Sequence, residues 1–419
     1  MQVVRIAAAV VAFLVAVHGS LASAAATQEP LTWQQCVQIL DESNRALRQS
    51  RRQLEATLAD VRRADVGPNP TLSAAVSNST ARHYRVPDSD WIVRLEQLFE
   101  RGGKRELRVA AARDMARAAG LDILDIARQQ RIVLASSYFD LVAAQEALEL
   151  ANETAAGYLR LRTAAQRRLQ AGDIAEVDVA RLRVEEGRAQ NDARTAAANL
   201  AQARVGLAAV LGLEGRADGF RASDDFLPLG QPLPDAAALE RAIDRRADVA
   251  ALRARIDALN QTRRLALAQR TRDITIGVQT ERSPSLGGNV FGVSATIPLF
   301  VNNDFTGDIA RADADLASAQ EDLERVKGLV RIDAARAGAL AASALERAQR
   351  LEQVSLPEAV RAAQAIDFAF SRGAATLTDL FDARRQLVTV RVEALAARAD
   401  YSKAVLAWRE ALHAEDSPR

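Results

Sequence analysis

The chain has 419 residues, with 55 Lys and Arg against 54 Asp and Glu, 49% hydrophobic residues and only 4% aromatic ones. That balance supplies no basic excess for nucleic acid. The single cysteine rules out an internal disulfide, and three histidines leave a His/Cys metal site or a histidine-based triad poorly supplied.

In chain order, residues 1–26 read as a secretory signal. Arg5 precedes an apolar run from Ile6 to Val17, and "SLASAAATQ" offers small residues for cleavage near Ala24 or Ala26. Its removal leaves His83 and His413 as the mature histidines. Cys36 follows "WQQ" instead of the small and apolar residues of a lipoprotein signal, so no lipid anchor is expected there. No later stretch holds 18 apolar residues in a row, which excludes a membrane-spanning helix.

Leu31 to about Ala64 has a helical pattern, with Thr32 as its cap, and "GPNP" (Gly67 to Pro70) stops it. After a hairpin over 70–98, the spacing predicts a helix from Gly103 to Gln170, on the order of 100 Å long. It breaks at a tip over 171–173 and resumes to Gly212, closing a first repeat over 27–212. A connector follows over 213–235. The second repeat, 236–414, has a hairpin over 272–300 and a helix from about Asp308 to Phe370, with Pro357 as its expected kink. Its tip spans 371–378, and a last helix runs to about Ala414 before a tail over 415–419. In that last helix Leu380, Ala383, Leu387, Val390, Ala394, Ala397, Tyr401, Ala404, Trp408 and Ala411 alternate steps of three and four, as coiled coils do. Leu134, Tyr138, Leu141 and Leu148 keep the same spacing earlier, with the polar Gln145 as the exception.

The halves are duplicates. Gly172 lies 73 positions after Phe99 (172 − 99), and Gly373 lies 73 after Phe300 (373 − 300). Asp178 and Asp379 follow the two glycines at equal distance. Each hairpin alternates with period two. Leu72, Ala74 and Val76 oppose Ser73, Ala75 and Ser77, and Trp91, Val93 and Leu95 oppose Ile92, Arg94 and Glu96. In the second hairpin Ile274, Ile276 and Val278, then Phe291, Val293, Ala295 and Ile297, do the same. Such strands suit either lipid on one face and water on the other or an ordinary half-buried sheet. Four strands cannot close a membrane barrel, whose smallest bacterial form has eight, so a barrel requires several copies.

The duplication, the two hairpins, "IPLFVNNDFTGDI" after the last strand and "FSRGAATLTDLFDARRQL" at the second break resemble the TolC family of outer-membrane efflux channels over essentially the whole mature length. The resemblance implies a mainly α fold with a small β part. Duplicated long-helix hairpins would form an α-barrel continuous with a 12-stranded transmembrane β-barrel, built as a homotrimer in outer-membrane lipid with most of the chain in the periplasm. It also implies a passive duct fed by an inner-membrane pump and a periplasmic membrane-fusion adaptor. The segment after the last strand is most similar to the outer-membrane components of heavy-metal cation exporters of the resistance-nodulation-division type.

Within that resemblance Gly172, Asp173, Gly373 and Ala374 form the periplasmic tips that an adaptor would grip. Asp379 and Asp382, spaced i, i+3 on one helix face, match positions ringing the entrance, and Asp178 matches one that helps hold it shut. Asp173 and Glu176 read as solvated charges favouring a helix N-terminus. Phe370 and Ala375 depart from the tyrosine and arginine often found in the family's closing contacts, and Arg181, at the repeat position of Asp382, is a candidate substitute. No P-loop, nucleophile elbow or metal-ligand cluster is present, and pairs such as Asp224–Asp225 read as solvated loop. The chain therefore reads as no enzyme and calls for no cofactor. A secreted coiled-coil adaptor without a pore is the alternative, and it leaves the alternating hairpins unexplained.

Overall fold

The computed structural model describes residues 30–77, 89–230, 242–283 and 287–412. The expected signal segment, His83, His413 and the tail over 415–419 lie outside these residues, as does the connector over 231–235.

Thr32 does cap the first helix, α1 (Trp33–Ser43), in a reciprocal box: its hydroxyl accepts the Gln35 N–H and the Gln35 side chain accepts its own. The helical pattern expected to run on to Ala64 is broken once, at Asn44, whose ψ of 131° is not helical. Buried Asn44 caps α2 (Arg45–Asp65) by accepting the Leu47 N–H, and its amide donates to Gln130 Oε1 and Val210 O. An asparagine can accept a break because its side chain satisfies the freed backbone groups.

Strands β1 (Thr71–Ser77), β2 (Asp90–Phe99), β3 (Ile274–Ser283) and β4 (Gly288–Thr296) form one antiparallel sheet in sequence order. The register aligns Leu72, Leu95, Val278 and Val293 in one row, and Ala74, Val93, Thr280 and Phe291 in the next. Opposite residues share a face, so the four apolar sets expected from alternation fall on a single side. Phe291 and Val293, each 81% exposed, stand there uncovered by the chain itself. The other face carries Ser73, Arg94, Glu96, Gln279 and Ser294, with Arg94 Nε donating to Gln279 Oε1 at 3.0 Å. β1 and β4 keep open edges within one chain.

Below the sheet, α3 (Lys104–Gln170) and α4 (Glu176–Leu211) form the first long hairpin. A 3₁₀ turn (Glu214–Gly219) leads toward α5 (Ala247–Ala268), and α6 (Thr306–Arg350), α7 (Leu356–Ser371) and α8 (Leu377–Leu412) complete the second half. α4 and α8 have 36 residues each. The bend expected at Pro357 is a π turn over Leu351–Ser355, where the Leu356 N–H reaches back to Leu351 O. Proline lacks an N–H and crowds the carbonyl four residues before it, and one widened turn relieves both.

The seam of α8 lies inward at every position, with Tyr401 fully buried. Gln145, the polar exception in α3, donates to Ala222 O and accepts the Ala222 N–H, so it ties the helix to the connector. Asp224 corrects the solvated-loop reading: its carboxylate accepts the Trp33 N–H at 2.6 Å and the Tyr138 hydroxyl at 3.1 Å. These bonds, with a parallel bridge between Leu31 and Ala222, close a waist around Leu40, Leu134, Tyr138, Phe139 and Leu207. Burial and the nearby Asp224 carboxylate raise the Tyr138 hydroxyl well above its ordinary pKa.

Candidate functional site

The chain turns back twice at the end of the long hairpins farthest from the sheet, and both turns have one geometry. At the first, the Gly172 N–H reaches Leu169 O at 3.0 Å and the Asp173 N–H reaches Arg168 O at 2.9 Å. At the second, the Gly373 N–H reaches Phe370 O at 3.0 Å and the Ala374 N–H reaches Ala369 O at 2.8 Å. This paired bonding satisfies the last helix carbonyls and needs a left-handed residue. Gly172 at φ 82° and Gly373 at φ 74° supply it without the Cβ clash other residues would meet.

The restarts differ. Thr376 accepts the Asp379 N–H, while the Asp379 carboxylate accepts both the N–H and the hydroxyl of Thr376, at 2.9 and 2.7 Å. Those bonds hold the Asp379 pKa below its ordinary 3.8. In the first half Ala175 takes the capping position and offers no side-chain bond. Asp379 is therefore first a helix-start residue. Asp382 is exposed, with one oxygen 3.8 Å from Arg385 Nη1.

Asp178 and Arg181 are placed apart from that pair. They line a cleft of about 420 Å³ between the two tips, together with Leu161, Ile174, Leu182, Phe370, Thr376 and Leu377. No hydrogen bond or ion pair engages the side chain of either among the described residues, so Arg181 makes no substitute closing contact within one copy. Phe370 stands on the cleft wall and Ala375 beside it.

A knot that no periodicity of the sequence foretells fastens the two hairpins together. Tyr158 of α3 and Phe381 of α8 pack at 6.3 Å between ring centroids, in a cluster with Val179, Leu182 and Ala189 of α4. Next to them Glu185 of α4, its side chain only 10% exposed, accepts Arg385 of α8 at 2.9 Å and Arg188 at 2.9 Å. Burial, and then the Glu185 carboxylate, raise the Tyr158 pKa. The scarcity of aromatics was the available signal, since two of the few stand near the tips, Phe381 about one turn into α8 and Tyr158 a little over three turns before the end of α3.

A sheet with a largely apolar, uncovered face at one end of long helical hairpins is the build of a membrane channel subunit. The matches to known proteins agree. The model of the outer membrane efflux protein family matches residues 36–213 and 238–413. The cobalt-zinc-cadmium resistance protein CzcC of Cupriavidus metallidurans is 29% identical over 374 residues, 87% of this chain and 86% of that protein. A membrane protein from Pseudomonas aeruginosa shares the fold with a TM-score of 0.77 at 18% identity, covering 91% of this chain and 92% of its own. The channel CusC does so with a TM-score of 0.74 at 19% identity, covering 91% of both chains. The chain belongs to the outer membrane efflux protein family. It is a transport duct in the outer membrane with a large periplasmic helical part, not an enzyme, and the pore-free coiled-coil alternative falls away.

Proposed function

We propose that three copies pool their sheets into a 12-stranded barrel and their hairpins into one α-helical conduit, a passive exit for divalent metal cations. The observation that carries this is the sheet, with one largely apolar face, its apolar side chains uncovered by the chain itself, and two unpaired edges. Exposed edges and an uncovered apolar face are resolved together only by edge-to-edge closure in lipid. The cation cargo is inferred from the similarity to CzcC.

A periplasmic adaptor would seat on the tips at Gly172, Asp173, Gly373 and Ala374, and an inner-membrane pump of the resistance-nodulation-division type would supply the energy. Three copies of Asp379 and Asp382 at the entrance would gather negative charge and favour cations. Asp178 and Arg181, on the cleft between hairpins, would act on closure instead. Replacing Asp379 and Asp382 together by Asn in planar bilayers is expected to lower cation-over-anion selectivity severalfold. Unchanged selectivity would remove both from the pore.

A further inference from the structure

We propose that adjacent copies are joined below the barrel by a charged seam, in which arginines of α2 face the acidic first turns of α6 on the next copy. The inference rests on the trimer reading. α2 leads into β1 and α6 follows β4, so these helices hang from the two open edges of the sheet. Within one copy α2 packs on α3 and α6 packs on α5. Their other flanks stay open: Leu47, Ser50 and Ala64 are the buried residues of α2, and Ala312 is the one buried in Thr306–Glu324.

The two helix segments carry opposite charge. α2 carries Arg45, Arg48, Arg51, Arg52, Arg62 and Arg63 against Glu55, Asp60 and Asp65. Thr306–Glu324 carries Asp308, Asp313, Asp315, Glu321, Asp322 and Glu324 against Arg311 alone.

Duplication supplies the register. β2 pairs with β3 inside the chain, and the repeat-equivalent contact is β4 with β1 of the next copy. In the same way α3 against α5 inside the chain corresponds to α6 against the next copy's α2. The internal contact is bridged by Arg255 Nη2 and Asp122 Oδ2 at 2.5 Å. Arg52 stands as far before Asp65, the last residue of α2, as Arg255 does before Ala268, the last of α5. Glu324 stands as far past Thr306 as Asp122 does past Lys104. Arg52 of one copy is thereby set against Glu324 of the next, and the same antiparallel run brings Arg62 and Arg63 toward Asp315, while Asp313 stays bonded to Arg263 of α5 in its own copy. Arg52 now bonds Glu55 at 2.7 Å and Glu324 bonds Lys327 at 2.7 Å, pairs within one helix in which Arg52 and Glu324 are themselves exposed, so their exchange is cheap. A head-to-tail contact of this kind closes into a ring, and its charge pattern fixes which neighbour and which register are accepted.

The test uses the full chain in detergent. Arg52→Cys combined with Glu324→Cys, treated with a short bis-maleimide, is expected to migrate as a covalent trimer on a denaturing gel. Arg255→Cys with Asp122→Cys should give an internally bridged monomer. Arg52→Glu or Glu324→Arg alone should raise the monomer fraction at limiting protein about threefold, and the two together should restore it. A native trimer with no bridge between 52 and 324, indifferent to both reversals, overturns the seam and leaves the channel reading intact. Wild-type protein that sizes as a monomer in every detergent overturns the channel reading itself.

Discussion

The two tips share a turn and differ in how the chain leaves it. Leu169, Gly172 and Asp173 repeat in Phe370, Gly373 and Ala374 with the same two hydrogen bonds. The following helix is then capped by Thr376 and Asp379 in one half and left without a side-chain cap at Ala175 in the other. Duplication preserved what the backbone demands and released what a side chain can supply. A carboxylate at a shared repeat position therefore need not share a role: Asp379 holds its own helix start, whereas Asp178 faces the cleft between the hairpins.

The largest expected effect comes from cutting the knot that makes both tips one body. Phe381→Ala removes a buried ring and is expected to cost about 3–5 kcal/mol, read as a lowered thermal midpoint with early proteolysis at both tips. Retained resistance at either tip would show the hairpins to be independent. Next, Gly172→Val and Gly373→Val each force a branched residue into a left-handed position, at about 1–2 kcal/mol. Equal acceleration of amide exchange in the preceding helix turns is expected, and unequal losses would break the equivalence of the turns.

Capping should separate the tips. Thr376→Ala is expected to cost α8 about 1 kcal/mol, while Ala175→Ser should steady the start of α4 by somewhat less, both read by amide exchange in the first turn. The smallest effect is that of acid. Asp379 has a folded-state pKa below its ordinary 3.8, so its contribution is complete above that value and is lost as pH falls through the lowered one. Below about pH 3.8 the start of α8 should fray before that of α4, and Asp379→Asn should abolish the difference. Fraying of both starts together would assign the acid response elsewhere.

The long helices, the duplication and the two-faced strands are legible in the sequence because their signals are local: steps of three and four, or of two. Trp91, Val93 and Leu95 announce their face without knowledge of their neighbours. Asn44 does not announce its break, since the bonds that make the break tolerable come from Gln130 and Val210, far along the chain. Asp224 reads as loop charge for the same reason, its partners being Trp33 and Tyr138. The Glu185–Arg385 contact joins α4 to α8, and no periodicity within either helix foretells it. Asp379 and Asp382 were visible as an acidic pair, yet the diversion of one into a cap depends on rotamer and hydrogen-bond geometry.

Cys36 is fully enclosed in the waist, and burial there, with Asp224 close by, pushes its thiol up to about 12. It stays protonated and out of reach at neutral pH, so alkylating reagents applied to the native chain leave it untouched. The wild-type sequence thus already serves as a silent background for sulfhydryl labelling, and any adduct formed on an introduced cysteine reports on the introduced position alone.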